Sequence, residues 1–282
     1  MDWVSRQFST RVIALIPVAI AIDIVLGATV QQALHLPIYL DSIGTILVGV
    51  LAGPLAGMVT GALANLIWGY LLPAPIGSST IGPFAITAAC IGLLAGVWGY
   101  LGLFRDRKGD QARSSVAALV AVVLVGALAL YTYGRAYASP TNFQDITGFD
   151  PSAFDQSRLF FALVMVAFVV LIAWALFLRR DVGAVFAIGA GLVTGIVAAV
   201  VSAPIAAFVY GGVTGSGTDA LVAAFRAAGD SLYTATLKQG LLSDPLDKMV
   251  TSFVVFFIIT SLSRRFVARF PNGERALGSE AG

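Results

Sequence analysis

The chain is a succession of apolar blocks, each about as long as a membrane-crossing helix, cut by stretches rich in charge, proline or glycine. The blocks fall at about 11–33, 40–54, 55–72, 81–104, 114–134, 158–178, 183–210 and 246–264. None shows the two-residue alternation of a half-buried strand, and about 20 apolar residues cross a bilayer core as a helix. The pattern therefore predicts an all-α membrane protein, a polytopic bundle of about eight transmembrane helices. Residues 40–72 are the ambiguous part. They are too long for one upright helix and short for two, and "LAGPLAG" supplies the break. Pro54 lacks a backbone donor and disfavours helix at Gly53.

The basic residues test that count. Arg6 and Arg11 precede the first block. Arg105, Arg107, Lys108 and Arg113 lie between the fourth and fifth, and Arg179 and Arg180 between the sixth and seventh. Arg264, Arg265, Arg269 and Arg275 follow the eighth. These twelve of the 17 basic residues share one side if there are eight spans. By the positive-inside rule that side is the cytoplasm, so a multi-pass cell-membrane protein with both termini inside is expected. The segments 34–40, 73–80, 135–157 and 211–245 then become outer loops. In the last, Leu221, Val222, Phe225 and Leu232 predict one face of a short helix at the membrane surface. Residues 1–270 read as a single transmembrane domain and 271–282 as a disordered cytoplasmic tail.

Composition makes a soluble fold untenable. The chain is 58% hydrophobic and 11% charged, with mean hydropathy +0.90, whereas soluble domains carry roughly 25% charged residues. The N-terminal block is expected to be a spanning helix rather than a signal peptide: its apolar core, Val12 to Val30, exceeds the roughly 7–15 residues of such a segment. Cys90 is the only cysteine and His35 the only histidine, which leaves no disulfide framework and no multi-histidine or thiol metal site.

"VYGGVTGSGTDALV", 209–222, has the glycine density of a phosphate-binding loop. Gly212 and Gly217 have the separation of a P-loop, but Thr218 stands where its lysine belongs. The loop also falls on the outer side. Its glycines serve tight turns or close approach, and Thr214, Ser216, Thr218 and Asp219 place short polar groups at the mouth of the bundle. Gly53, Gly57 and Gly61 recur every four residues, as do Gly92 and Gly96, and Gly191 and Gly195. Such faces allow close helix packing, either internally or onto a partner.

Ionisable groups inside spans face a cavity or a partner. Asp23 lies well within the first span. Asp41, Asp247 and Lys248 sit at the outer ends of the second and eighth, Asn65 and Trp68 one turn apart on the third, and His35 and Tyr39 in the first outer loop. Together these line one expected external pocket, although each alone is equally an interfacial anchor or a structural polar group. No G-x-S-x-G, no H-E-x-x-H and no acid–base pair at helical spacing within a span occurs, so no enzymatic activity is expected.

"LDSIGTILVGVLAGPLAGMVTGALANLIWGYLL", 40–72, resembles the second and third helices of substrate-binding S components of energy-coupling factor (ECF) transporters. "IGPFAITAACIGLLAGVWGYLGLFRDR" is similar to the following helix of that family. "SAPIAAFVYGGVTGSGTD" and "SDPLDKMVTSFVVFF" are similar to its last loop and helix. The resemblance touches about half the chain. It implies capture of a vitamin or similar small organic nutrient from outside, then docking on a transmembrane T component driven by two cytoplasmic ATPases. The chain itself would hold no cofactor, hydrolyse nothing and meet no nucleic acid; ATP would be used by its partners. Candidate substrate-binding residues are Asp41, Asn65, Trp68, Thr214, Ser216, Asp219, Asp247 and Lys248. The family usually has six spans, so the blocks within 114–178 read as an added pair. Its A-x-x-x-A docking motif is absent in that form: Val18 follows Ala14, and Asp23 follows Ala19. Two other readings remain open, a multi-span sensory domain and a solitary secondary transporter using Asp23 as its ion site.

Overall fold

The computed structural model describes residues 3–107, 111–137 and 151–277, and every regular element among them is a helix. Of the expected outer loop 135–157, residues 138–150 lie outside the described residues, as do Lys108 and 278–282. In chain order the helices are α1 (Trp3–Gln7), α2 (Thr10–Gly27), α3 (Ile43–Ala52), α4 (Pro54–Tyr70), α5 (Ala85–Tyr100) and α6 (Gln111–Ala136). Then come α7 (Pro151–Phe177), α8 (Gly183–Pro204), α9 (Asp219–Ala227), α10 (Leu232–Ser261), α11 (Arg264–Val267) and α12 (Gly273–Leu277). Wider π-helical turns extend α2 through Ala28–Ala33 and α8 through Ile205–Val209.

Among the described residues, five helical segments are long and apolar enough to cross a membrane: Thr10–Ala33, Gly82–Tyr100, Ser114–Ala136, Phe154–Phe177 and Gly183–Val209. The protein is a multi-pass helical membrane protein. Val116, Leu119, Val120, Val123 and Leu130 on α6, and Leu159, Leu163, Val166 and Val170 on α7, point outward with more than half of their surface exposed, as side chains bathed in lipid do. Eight such helices were expected. Block 40–54 forms only the ten-residue α3, α4 has 17 residues, and 246–264 is the end of the 30-residue α10, which carries Asp244, Asp247 and Lys248.

The α3–α4 break lies where the sequence places it. Gly53 has φ 123°, a conformation that favours glycine, and Pro54 takes the first helical position of α4. Gln7 of α1 supports the corner, its Oε1 accepting the N–H of Leu55 at 2.9 Å. The glycine faces are used inside the bundle. A Cβ on Gly57 would lie 2.3 Å from the Gly92 carbonyl oxygen, and one on Gly191 would lie 2.2 Å from that of Lys248.

Asp23 is buried at the start of α3. It accepts the N–H groups of Gly44 (2.6 Å) and Thr45 (2.9 Å) and the Thr45 hydroxyl (2.7 Å). It thus satisfies helix N-terminal donors that lipid would leave orphaned.

The basic segments gather at one end of the bundle. Arg11 donates to the Arg269 carbonyl, Arg275 to that of Tyr100, and the N–H of Val182 to that of Arg107. In the described part of the expected disordered tail, the N–H of Asn272 donates to Leu51 O at 2.9 Å and Ala276 is buried. At the opposite end lie 28–42, 71–84 and 205–231, around a cavity.

Candidate functional site

The 205–231 connection is built on its glycines. Gly211, Gly212 and Gly215 have φ of 61°, 83° and 81°, and a Cβ on Gly217 would lie 2.1 Å from the His35 carbonyl oxygen. Asp219, at the start of α9, ties the loop together. Its carboxylate accepts the N–H of Thr214 (2.9 Å), the Thr214 hydroxyl (2.8 Å) and the N–H of Gly215 (2.8 Å). In a phosphate cradle such N–H groups are free for an anion; here a carboxylate already occupies them. Burial pushes the Asp219 acid up to about 6, against the pull of the Thr214 hydroxyl and the Gly215 and Thr214 amides. The amphipathic α9 buries Leu221, Val222 and Phe225, as its pattern predicts, but Leu232 belongs to the next helix.

That next helix corrects the sequence reading most. The segment 232–245 was expected in an outer loop; instead α10 starts at Leu232, capped by the Ser231 hydroxyl, which accepts the Thr234 N–H. The extension turns Gln239, Ser243 and Asp244 inward beside Asp247 and Lys248. It also creates the acid–base pair at helical spacing that the sequence reading did not find, Asp244 and Lys248.

The cavity has a volume of about 370 Å³, within the ~300–1,000 Å³ of small-molecule sites. Six of the eight expected residues line it: Asp41, Asn65, Thr214, Ser216, Asp219 and Lys248. Two do not. Trp68 is buried behind the wall, its Nε1 donating to the Ile76 carbonyl at 2.7 Å and its ring against Gly27. Asp247 is buried beneath the floor, where its Oδ1 accepts the N–H groups of Tyr39 (3.1 Å) and Leu40 (2.7 Å).

Lys248 anchors the floor. Its ammonium donates to Asp247 Oδ2 (2.5 Å), Ser42 Oγ (2.7 Å) and Asp41 Oδ1 (3.3 Å). The other Asp41 oxygen accepts from Gln31 Nε2 at 3.0 Å. A chain of polar groups runs from there toward the loop. Gln239 donates to the Tyr39 hydroxyl (3.0 Å), which donates to Thr218 Oγ1 (3.4 Å), which in turn donates to Ser216 Oγ (3.1 Å). Burial, with the Asp244 charge nearby, pushes the Tyr39 phenol well above its ordinary value, so it stays a neutral donor. Ile81, Phe84, Ala88 and Ile91 form an apolar wall, and Phe84 stacks on Tyr210 with centroids 5.9 Å apart.

Three lining groups have capacity to spare. Asp244 accepts one long bond, from Ser202 Oγ to Oδ2 at 3.4 Å. Thr87 Oγ1 is buried without a hydrogen-bond partner. Asn65 is buried, and none of the hydrogen bonds found among the described residues involves its side chain. Buried polar groups are normally satisfied, so unspent capacity around a cavity points to a bound molecule. Asp244, Thr87 and Gln239 were missed in the sequence: Thr87 reads as one hydroxyl in an apolar block, and the other two were assigned to a loop.

No family model matches the chain, and no curated protein or solved structure matches it.

Proposed function

We propose that this protein is a membrane-embedded substrate-capture subunit of an ECF-type importer. It binds a vitamin or similar small organic nutrient at its outer face. A T component and two ATPase subunits then drive its release inward, and the chain itself performs no chemistry. One observation carries the reading: a cavity at the end of the bundle opposite the basic clusters, walled by six helices, in which Asp244, Thr87 and Asn65 have hydrogen-bonding capacity unspent among the described residues. The resemblance of 40–72 and of the last loop and helix to S components agrees with it. We infer eight crossings with both termini in the cytoplasm, because that count places the basic clusters on one side of the membrane. Against the solitary-transporter reading, Asp23 accepts three hydrogen bonds at the start of α3 and is not among the residues lining the cavity.

The test is mass spectrometry of small molecules retained by gently purified full-length protein, with co-purifying proteins read from the same sample. A retained nutrient-like molecule, alongside a T component and ATPases, is the expected result. A protein that is empty and accompanied by a kinase would replace capture for transport with sensing.

A further inference from the structure

The charges on the cavity floor do not balance. Asp41, Asp244 and Asp247 face a single cation, Lys248, the one basic residue among the described lining residues. An ammonium has three donors, and those of Lys248 are spent on Asp41, Ser42 and Asp247. None is left for an anionic ligand. The carboxylates differ in what they have left. Both oxygens of Asp41 are engaged, by Lys248 and Gln31. Those of Asp247 hold Lys248 and two backbone N–H groups. Asp219 is taken up by its own loop. Asp244 is 4% exposed, lines the cavity, and has one oxygen with no hydrogen bond among the described residues. Lys248 lies within electrostatic reach of Asp244 but makes its ion pairs with Asp41 and Asp247, and a buried carboxylate with no cation in contact is costly until a counter-charge arrives.

We propose that the captured molecule carries a positively charged nitrogen and that Asp244 is its counter-ion. This rests on the capture reading above. The nitrogen sits against Asp244 Oδ1 at the α8–α10 side of the cavity. The rest of the molecule lies along the apolar wall of Ile81, Phe84 and Ile91, with Asn65 and Thr87 available to its other polar groups. The substrate class is therefore a compact organic cation with an apolar body, an amine or a quaternary nitrogen, rather than a carboxylate or phosphate. Lys248 contributes by holding Asp41 and Asp247 so that the one unspent carboxylate is Asp244.

The test uses detergent-solubilised full-length protein, washed free of retained molecules. The probes are two fractions of the water-soluble small molecules of a rich growth medium, one held by a strong cation exchanger at pH 7 and one that flows through. Thermal stability is read with each. The expected result is a saturable rise in Tm with the retained fraction alone. The compound isolated from it should bind Asp244→Asn at least tenfold more weakly, while that variant without ligand melts as a single folded species. A Tm rise with the flow-through alone overturns the cationic class and leaves capture standing. No rise with either fraction overturns the capture reading, and this inference with it. Equal affinity of Asp244→Asn and wild type for the isolated cation removes Asp244 as counter-ion. The comparison of fractions on the wild type decides the substrate class even if the variant does not fold.

Discussion

The carboxylate of Asp247 accepts the N–H of Leu40 at 2.7 Å and that of Tyr39 at 3.1 Å, so α10 fixes the connection between α2 and α3. Leu40 has φ 52° there, a conformation most side chains avoid. Asp247 therefore builds the floor of the cavity without touching its contents. Asp247→Ala takes from buried Lys248 one of its two carboxylate partners and leaves two backbone donors without their acceptor, and breaking a buried pair from one side costs about 3–5 kcal/mol. The expected outcome is a large fall in Tm or loss of monodisperse protein. A normal melting curve with only ligand affinity lost would place Asp247 in the cavity instead.

Asp219 gives the loop a pH dependence. Its folded value is raised from 3.8 to about 6 by burial, so the native protein binds this proton more tightly than the unfolded chain does. The stabilising contribution is then complete below about pH 4 and is lost as pH rises through about 6. Two pKa units correspond to roughly 3 kcal/mol at most. Asp219→Asn does not titrate. The Tm of wild type relative to Asp219→Asn should accordingly fall between about pH 4 and pH 7. Parallel Tm profiles for the two proteins over that range would remove Asp219 as the titrating group.

The apolar blocks were legible because a bilayer demands long runs of them, and the break at Gly53–Pro54 because proline and a positive-φ glycine leave no alternative. The glycine loop was legible as a turn, because Thr218 cannot replace a P-loop lysine. The start of α10 was misread. Polar residues at the end of a span signal either a loop or a helix facing a cavity, and composition alone does not separate the two. The spacing does: Thr236, Gln239, Ser243 and Asp247 recur every three or four residues and are all buried. Trp68 was misplaced for a different reason. Asn65 and Trp68 share a helix face by spacing, but the 71–84 segment folds over Trp68 and takes its indole N–H, a long-range contact that no local pattern carries.

Gly57 and Gly92 meet with almost no space between α4 and α5. A Cβ on either would lie 2.3 Å or less from the other's carbonyl oxygen, and backbone cannot yield as a side-chain tip can. Gly57→Ala should force the helices apart, and overpacking of this kind costs about 1–3 kcal/mol. Gly126 on α6 has no heavy atom within 4 Å of its would-be Cβ. Gly126→Ala should be neutral, or stabilising by up to about 1 kcal/mol. Thermal melts of the two variants in the same detergent check the contrast, and equal Tm values would deny the tight α4–α5 contact.

Asn65 and Trp68, one turn apart on α4, should separate binding from folding. Asn65 lines the cavity and its side chain takes part in none of the hydrogen bonds found among the described residues. Asn65→Ala removes no hydrogen bond found among the described residues and should leave Tm within about a degree of wild type. It withdraws a polar group from whatever the cavity holds, and a hydrogen bond to a bound ligand is worth about 0.5–1.5 kcal/mol. Affinity for the retained molecule should therefore fall by roughly three- to tenfold. Trp68 is 1% exposed, does not line the cavity, and holds the Ile76 carbonyl. Trp68→Phe keeps an aromatic ring, loses that bond and leaves a gap beside Gly27. Here Tm should drop, while the molecule, measured well below the melting transition, binds with nearly wild-type affinity. Isothermal titration with the molecule identified by mass spectrometry reads both variants. Loss of affinity in Trp68→Phe without loss of stability would bring Trp68 into the binding surface and require the 71–84 segment to open when the molecule binds.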